Sequence, residues 1–268
     1  MAREKILITV KTYPTLSKKY SELVCTAGFR EDGSWIRLYP IQFRRMPYQE
    51  QFKKWHWVEM DIVKNTKDFR PESYRPVSLD TQVEIIGEIK ADGDAWSERR
   101  KIALKTVYTN KKQLIDDAKN RDKITSLATF KPQKILKFIT EPVEREWDKN
   151  KLEALTQMNL FETEQFKVVR KLPYKFSYRF TDDENAESKL MIEDWEIGQL
   201  YWNSLKRHNG DESKACEDVK KKYFDDFAKK KDLFLFLGTT KVNHFTGRNP
   251  FVIIGLFYPK PISQMKLF

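Results

Sequence analysis

The sequence has 268 residues, with 50 Lys and Arg against 39 Asp and Glu, which gives a formal net charge of +11 at pH 7. Hydrophobic residues make up 40% of the chain, enough for a packed core, so a wholly disordered protein is excluded. The only two cysteines, Cys25 and Cys216, lie far apart, which excludes a disulfide framework and a zinc site built from several cysteines.

The chain also shows no pattern typical of a membrane or secreted protein. Its longest uninterrupted apolar run, residues 251–258, has eight residues, whereas a membrane-spanning helix needs about 20. The apolar stretch near the N-terminus has five residues and follows an acid, unlike a secretory signal peptide. We therefore expect a cytoplasmic protein without a membrane partner.

Residues 1–92 are predicted to form a strand-rich module. Alternating or β-branched runs predict strands at 5–11, 20–29, 35–39, 55–63 and 81–90. The dipeptide Asp32-Gly33 predicts a tight turn that joins the second and third strands in a hairpin. Five short strands in this segment indicate a small barrel or half-barrel, such as an OB-like or PUA-like module.

Residues 93–141 are predicted to form a helical connection and a strand. Apolar residues near a spacing of 3.6 predict helices at 95–107 and 110–120. A strand is expected at 126–131, followed by a short helix at 132–138.

Residues 142–268 are predicted to form a C-terminal α/β part, which can pack with the first module as a single domain. Strands are expected at 164–170 and 174–180, and Asp194 and Asp211 are predicted N-caps of helices at 195–206 and 212–230. Two near-continuous apolar runs, 233–238 and 251–258, are typical of buried strands. The predicted fold class is therefore α+β.

Arginine is concentrated in one region, because eight of the 15 arginines lie between residues 30 and 100. Alternation in the strand at 35–39 directs Ile36 and Leu38 to the core and places Trp35, Arg37 and Tyr39 on the opposite face. An aromatic–arginine–aromatic row suits base stacking beside phosphate contacts. The alternative is that this row is buried and that an acid pairs with Arg37.

These patterns predict a nucleic-acid-binding protein, and we expect it to serve a prokaryotic nucleic-acid-processing or defence system. Two further segments add candidates: the proline-bounded stretch 68–76 and the polar loop between the two buried strands. The predicted nucleic-acid-binding residues are Trp35, Arg37, Tyr39, Arg44, Arg45, Lys53, Lys54, Trp55, Trp57, Arg70, Arg75, Lys241, His244 and Arg248. DNA, RNA and a small nucleotide all stay open as the ligand.

An alternative hypothesis is a metal-dependent nuclease of the Glu-x-Lys type. In it, Glu72 after Pro71 and Glu88 would hold Mg²⁺, and Lys90 would complete the catalytic set. Other acid-x-Lys triplets occur in the chain, so the pattern is not specific. Apart from this Mg²⁺, no cofactor or metal site is predicted. A third hypothesis is a scaffold subunit with protein partners in a larger assembly, and the oligomeric state stays open.

Overall fold

The computed structural model describes residues 2–17, 21–93, 95–150, 152–153 and 168–262. Among these residues, the N-terminal part contains seven strands: β1 (Ala2–Lys11), β2 (Thr15–Ser17), β3 (Ser21–Phe29), β4 (Trp35–Ile41), β5 (His56–Lys64), β6 (Ser73–Pro76) and β7 (Glu84–Glu88). Five of them close into a small barrel in the order β1-β3-β4-β6-β5, with β5 pairing back onto β1. The neighbours are antiparallel except for β4 and β6, which are parallel.

This architecture confirms the predicted small barrel, with one difference in its composition. The strand that closes the ring between β4 and β5 is β6, which lies in the proline-bounded stretch 68–76, where no strand was predicted. Strand β7, counted among the five in the prediction, pairs with the outer part of β5 instead. A four-residue strand containing a proline has too weak a pattern to be recognised from its sequence.

The barrel interior is filled by aliphatic side chains that alternate along the strands. Ile6 and Ile8 of β1 meet Ile36 and Leu38 of β4 in one buried cluster, as the alternation of residues 35–39 predicted. Gly28 allows β1 and β3 to approach closely, because a Cβ added there would lie 2.0 Å from the carbonyl oxygen of Leu7.

The C-terminal part combines two sheets with helices. Its elements are α1 (Ser97–Ala103), β8 (Val107–Tyr108), α2 (Lys111–Lys119), β9 (Leu127–Phe130), β10 (Lys134–Pro142), β11 (Tyr174–Thr181), β12 (Glu187–Met191), α3 (Trp195–Arg207), α4 (Glu212–Lys220), β13 (Phe234–Thr239) and β14 (Phe251–Phe257). One sheet has the order β14-β13-β9-β8 and the other the order β10-β11-β12. Helix α4 continues into a π-helical stretch, Lys221–Ala228.

Several predictions about this part are confirmed, and one is wrong. Asp194 and Asp211 cap α3 and α4 by accepting hydrogen bonds from backbone N–H groups, and β13 and β14 are buried almost throughout. The short helix expected at 132–138 is instead the start of β10. Of the strand predicted at 164–170, residues 164–167 lie outside the described residues, and 168–170 have no regular structure.

The barrel packs against the β14-β13-β9-β8 sheet through a shared apolar layer, which we call the junction core. Its members include Leu7 on the outer face of β1, together with Phe29, Trp35, Phe236 and Phe257. The ring of Trp35 lies 4.0 Å from that of Phe29 and 5.3 Å from that of Phe236, between centroids. Strand β1 is therefore covered on both faces.

The α+β class is thus as predicted, with a strand-rich barrel followed by helices and a mixed C-terminal part. The boundaries proposed at residues 92 and 141 stay predictions. Within the described ranges, no helix combines the length and the apolar character that crossing a membrane requires.

Candidate functional site

A cavity of about 760 Å³ lies where the barrel meets the C-terminal sheet, and we call it the arginine pocket. Its wall comes from Thr12 just after β1, from β2, β3 and β4, and from the segments 65–70 and 75–79. Glu193, residues 239–241 at the end of β13, and β14 complete it. The elements that form it are thus far apart in sequence and meet only in the folded chain.

Arg37 of β4 lines this pocket and is 5% exposed. Its Nη2 donates to the carbonyl oxygen and to Oγ of Ser126, each at 3.1 Å. The Glu72 carboxylate stands 3.9 Å away, and the buried Nε has no hydrogen-bond partner among the described residues. Burial, and then the charge of Arg70, lower the pKa of Arg37 to about 10. Arg37 is therefore held in place with a donor to spare, which leaves a buried polar group unsatisfied.

Arg70 is the second buried arginine of the pocket, and each of its three guanidinium nitrogens donates a hydrogen bond. Its Nε and Nη2 form a fork onto Asp68, at 2.9 and 2.6 Å, and its Nη1 donates to the carbonyl oxygen of Thr239 at 2.6 Å. Burial opposes the charge of Asp68, yet the bonds and charge of Arg70 lower the pKa of this carboxyl to about 2. Ser73 Oγ donates a further hydrogen bond to Asp68 Oδ2 at 2.9 Å. This group fastens the 65–73 segment to the end of β13.

The mouth of the pocket carries exposed cations. Lys67, Arg75 and Lys241 all line it and are exposed. Lys241 Nζ donates to the carbonyl oxygen of Lys67 at 2.5 Å, and Arg75 Nη1 donates to those of Pro76 and Val77, each at 3.1 Å. These bonds to neutral carbonyls orient Arg75 and Lys241 and leave the charges of both side chains uncompensated.

The lining as a whole is electropositive. Five cationic side chains stand against two acids, Asp68 and Glu193. Burial raises the pKa of Glu193, which favours its neutral form. The pocket thus suits an anionic or acceptor-rich ligand.

A second cavity, of about 350 Å³, lies on another side of the junction and contains three of the predicted binding residues, Lys53, Lys54 and Trp55. Here Lys54 is already paired with acids, whereas Lys53 is exposed. Lys54 Nζ lies 2.7 and 2.8 Å from the two oxygens of Asp194 and 3.1 Å from Glu196. This cluster has the properties of a structural tie between the barrel and α3.

The tryptophans of this region are likewise used in packing. Trp55 is 7% exposed, and its ring lies 5.3 Å from that of Phe257. The guanidinium of Arg99 lies 4.7 Å from the ring of Trp55 and 5.1 Å from that of Trp96. We therefore leave Trp55 and Lys54 out of the candidate interface.

The predicted row Trp35, Arg37 and Tyr39 is split by the fold. Trp35 is partly buried and packs on Phe29 and on Phe236 of β13, at the junction core. Arg37 and Tyr39 both line the arginine pocket. The alternation placed the three side chains on one face, but the C-terminal sheet covers part of that face.

The remaining predicted residues are scattered. His244 is fully buried, and its ring nitrogens lie 2.8 Å from Thr239 Oγ1 and 2.7 Å from the carbonyl oxygen of Ala118, so it has no free position for a ligand. Arg248 is exposed in the same loop. Trp57 on β5 lies under Lys5 Nζ, 5.0 Å from its ring centroid. Arg44 and Arg45 belong to a 3₁₀ turn, Phe43–Arg45, outside the lining of the pocket.

The structure does not bring the predicted nuclease residues together. Glu72 accepts a hydrogen bond from Ser126 beside Arg37 and precedes β6, which pairs with the last residues of β5. Glu88 lies opposite His56 at the first residue of β5, and Lys90 follows β7 as an exposed side chain. Two points so placed are separated by about 25 Å along the strand, too far to share one metal ion. In the described part of the chain, no group of three or more His, Cys, Asp or Glu is placed to hold a metal.

Sequence reasoning missed several residues of the pocket, among them Thr12, Lys67 and Glu193. None of them belongs to a basic-aromatic stretch. They come together only through long-range contacts, such as the hydrogen bond from Tyr13 N to the carbonyl oxygen of Glu193. No local signal in the sequence marks them.

Comparison with known proteins matches two families to consecutive parts of the chain. Residues 2–105 match a domain of unknown function, DUF8758, and residues 107–268 match another, DUF8757. No curated protein matches the chain. A solved structure titled "Structure of murine DNA binding protein bound with ds DNA" is similar, at 9% identity over 98% of both chains and a TM-score of 0.33.

Proposed function

The chain belongs to the DUF8757 family, and for this member of it we propose a nucleic-acid-binding function, with phosphates contacted at the mouth of the arginine pocket. The observation that supports it best is the convergence of Lys67, Arg75 and Lys241 around one pocket. In the described part of the chain, no carboxylate lies within ion-pair distance of Arg75 or Lys241.

The physical basis is the release of counterions. A cation that contacts a phosphate releases the ions condensed on the nucleic acid, which favours binding and makes it depend on salt. A cation already paired with an acid gains little, because it must give up that partner. The uncompensated cations at the mouth are therefore the ones that contribute to phosphate binding. Lys54 and Arg70 do not contribute, because each is already paired with an acid.

The test is a salt titration of binding. Fluorescence anisotropy would follow labelled single- and double-stranded DNA and RNA at several salt concentrations, with the native chain and with Arg75→Ala and Lys241→Ala. Each substitution is expected to weaken binding. It is also expected to make the negative slope of log K against log salt less steep. For each phosphate that the variant no longer neutralises, the slope falls by about 0.9 with a duplex or about 0.7 with a single strand.

Lys137→Ala is the matched control. Lys137 is exposed on β10, in the other sheet, and its replacement changes the net charge by the same amount. Absence of binding to all four nucleic acids at low salt would overturn the proposed function. If Lys137→Ala lowered the slope as much as Lys241→Ala, the assignment to the pocket would be wrong.

A further inference from the structure

We infer that the arginine pocket receives one unstacked nucleotide of the bound strand, with Arg37 hydrogen-bonded to its base. This inference rests on the proposed function and names the part of the ligand that enters the chain. Phosphates stay at the mouth with the exposed cations, and the base passes inward.

The shape and chemistry of the lining fit a base. A volume of about 760 Å³ lies within the range of about 300–1,000 Å³ usual for small-molecule sites. Apolar surface comes from Tyr39, Val252 and Ile254, and polar groups come from Thr12 and Arg37. A base presents the matching combination, with two apolar faces and an edge of donors and acceptors.

Arg37 supplies the specific contact. Its Nη2 is fixed by Ser126, and its Nε is enclosed by the protein. The third nitrogen, Nη1, makes no hydrogen bond among the described residues and is not one of the enclosed polar atoms, so it is the group that can donate into the pocket. An acceptor atom on a base can accept this hydrogen bond, and a bond from a charged donor is stronger than one between neutral groups. Ring nitrogens and exocyclic carbonyl oxygens of bases are such acceptors, and arginine is well suited to them.

The mouth of the pocket also offers side chains that can replace an extruded base in the stack. Val77 and Leu79 line it and are 38% and 51% exposed. Phe69 and Val242, 41% and 83% exposed, are sequence neighbours of lining residues. Val77 and Leu79 are therefore two exposed apolar side chains on the pocket itself, and Phe69 and Val242 each adjoin a lining residue in the sequence. Apolar wedges that enter between base steps are a recurrent device of nucleic-acid-binding proteins.

The experiment uses oligonucleotides that carry 2-aminopurine at successive positions. Stacking quenches the emission of this base, so extrusion at one position is expected to raise the emission there when the chain binds. Arg37→Lys keeps the charge but removes the guanidinium with its Nη1 donor, and is expected to lower this rise while leaving the salt slope unchanged. Thermal melting would verify that this variant folds.

A second variant leaves the interior intact. Leu79→Asn combined with Val242→Asn is expected to weaken binding to an intact duplex several-fold, and to weaken binding to a duplex with a mismatch at that position less, because unstacking there is less costly. Ile86→Asn is the control, since Ile86 is 39% exposed on β7, away from the pocket lining.

The outcomes separate the two proposals. If binding keeps the salt dependence set by Arg75 and Lys241 but no position shows a rise in emission, the nucleotide inference is overturned and the proposed function stands. If the double variant weakens binding to both duplexes equally, the wedge is overturned. If nothing binds, both proposals fail.

Discussion

The ion pair between Lys54 and Asp194 joins the barrel to α3, and we expect its removal to be strongly and asymmetrically destabilising. Asp194 is fully buried, accepts from Lys54 Nζ at 2.7 and 2.8 Å, and caps α3 through Glu196 N at 3.3 Å. The side chain of Lys54 is 9% exposed. Replacing Asp194 by Ala leaves that ammonium buried with the half-exposed Glu196 as its remaining carboxylate, 3.1 Å away.

The expected magnitudes follow from this geometry. Breaking a buried ion pair by removal of one partner costs about 3–5 kcal/mol, and the loss of the helix cap adds about 1 kcal/mol. Lys54→Met is expected to cost less. Burial already raises the pKa of Asp194 to about 6 against the attraction of Lys54, so without Lys54 this carboxyl takes up a proton and no charge is left buried. The difference between the two variants is expected to widen from pH 7 to pH 5.

Urea unfolding of both single variants and the double variant measures the coupling. Tryptophan fluorescence and circular dichroism would be followed together, since coincident transitions are needed for a two-state treatment. We expect a coupling free energy of about 2–3 kcal/mol, the upper part of the range for residues in contact. Asp194→Ser restores the cap without the charge, and so isolates the contribution of the cap. A coupling below about 0.5 kcal/mol would refute the reasoning, because independent sites already show that much.

Two further predictions concern the barrel. Gly28→Ala is expected to destabilise the chain by about 3 kcal/mol, because the new Cβ would lie 2.0 Å from the carbonyl oxygen of Leu7. Gly87→Ala is the control, since a Cβ added there would have nothing within 4 Å. Equal urea midpoints for the two variants would contradict the steric argument. Burial lowers the pKa of Lys11 to about 8, whereas the pKa of this lysine in the unfolded chain is about 10.5. Between these two pH values the folded chain has lost the Lys11 proton and the unfolded chain still holds it. The free energy of unfolding is therefore expected to rise with pH in this window. Lys11→Met should remove this rise in urea titrations, and an unchanged pH profile would contradict it.

Local patterns were sufficient for the elements whose partners lie nearby. Alternation placed Ile36 and Leu38 in the barrel core, and the helix caps were recognisable because Asp194 and Asp211 bond to backbone groups two and three residues away. The closing strand β6 was missed. It pairs in parallel with β4, through Arg37↔Ser73 and Leu38↔Tyr74, and a parallel pairing leaves no hairpin signal in the sequence.

The same limit explains the outcome for the aromatic–arginine row. Periodicity states which side chains share a face, and says nothing about what covers that face. Trp35 is covered by Phe236, about two hundred residues later in the chain, so an exposed stacking platform and a buried aromatic layer have the same local sequence. Arg37 on the same face is more deeply buried than Trp35, at 5% exposure, and it lines the pocket beside Cys25 and Thr12.

Basic residues pose the corresponding problem for function. The net charge of +11 counts Lys54, Arg70 and Lys241 alike, yet in the fold the first is paired with Asp194, the second with Asp68, and the third with a neutral carbonyl oxygen. The partner of Lys54 is 140 residues away, so no window of sequence distinguishes it from Lys241. Binding free energy for a phosphate depends on the charge left uncompensated. The structure therefore moves the candidate interface from the densest basic stretch to the cations at the mouth of the arginine pocket.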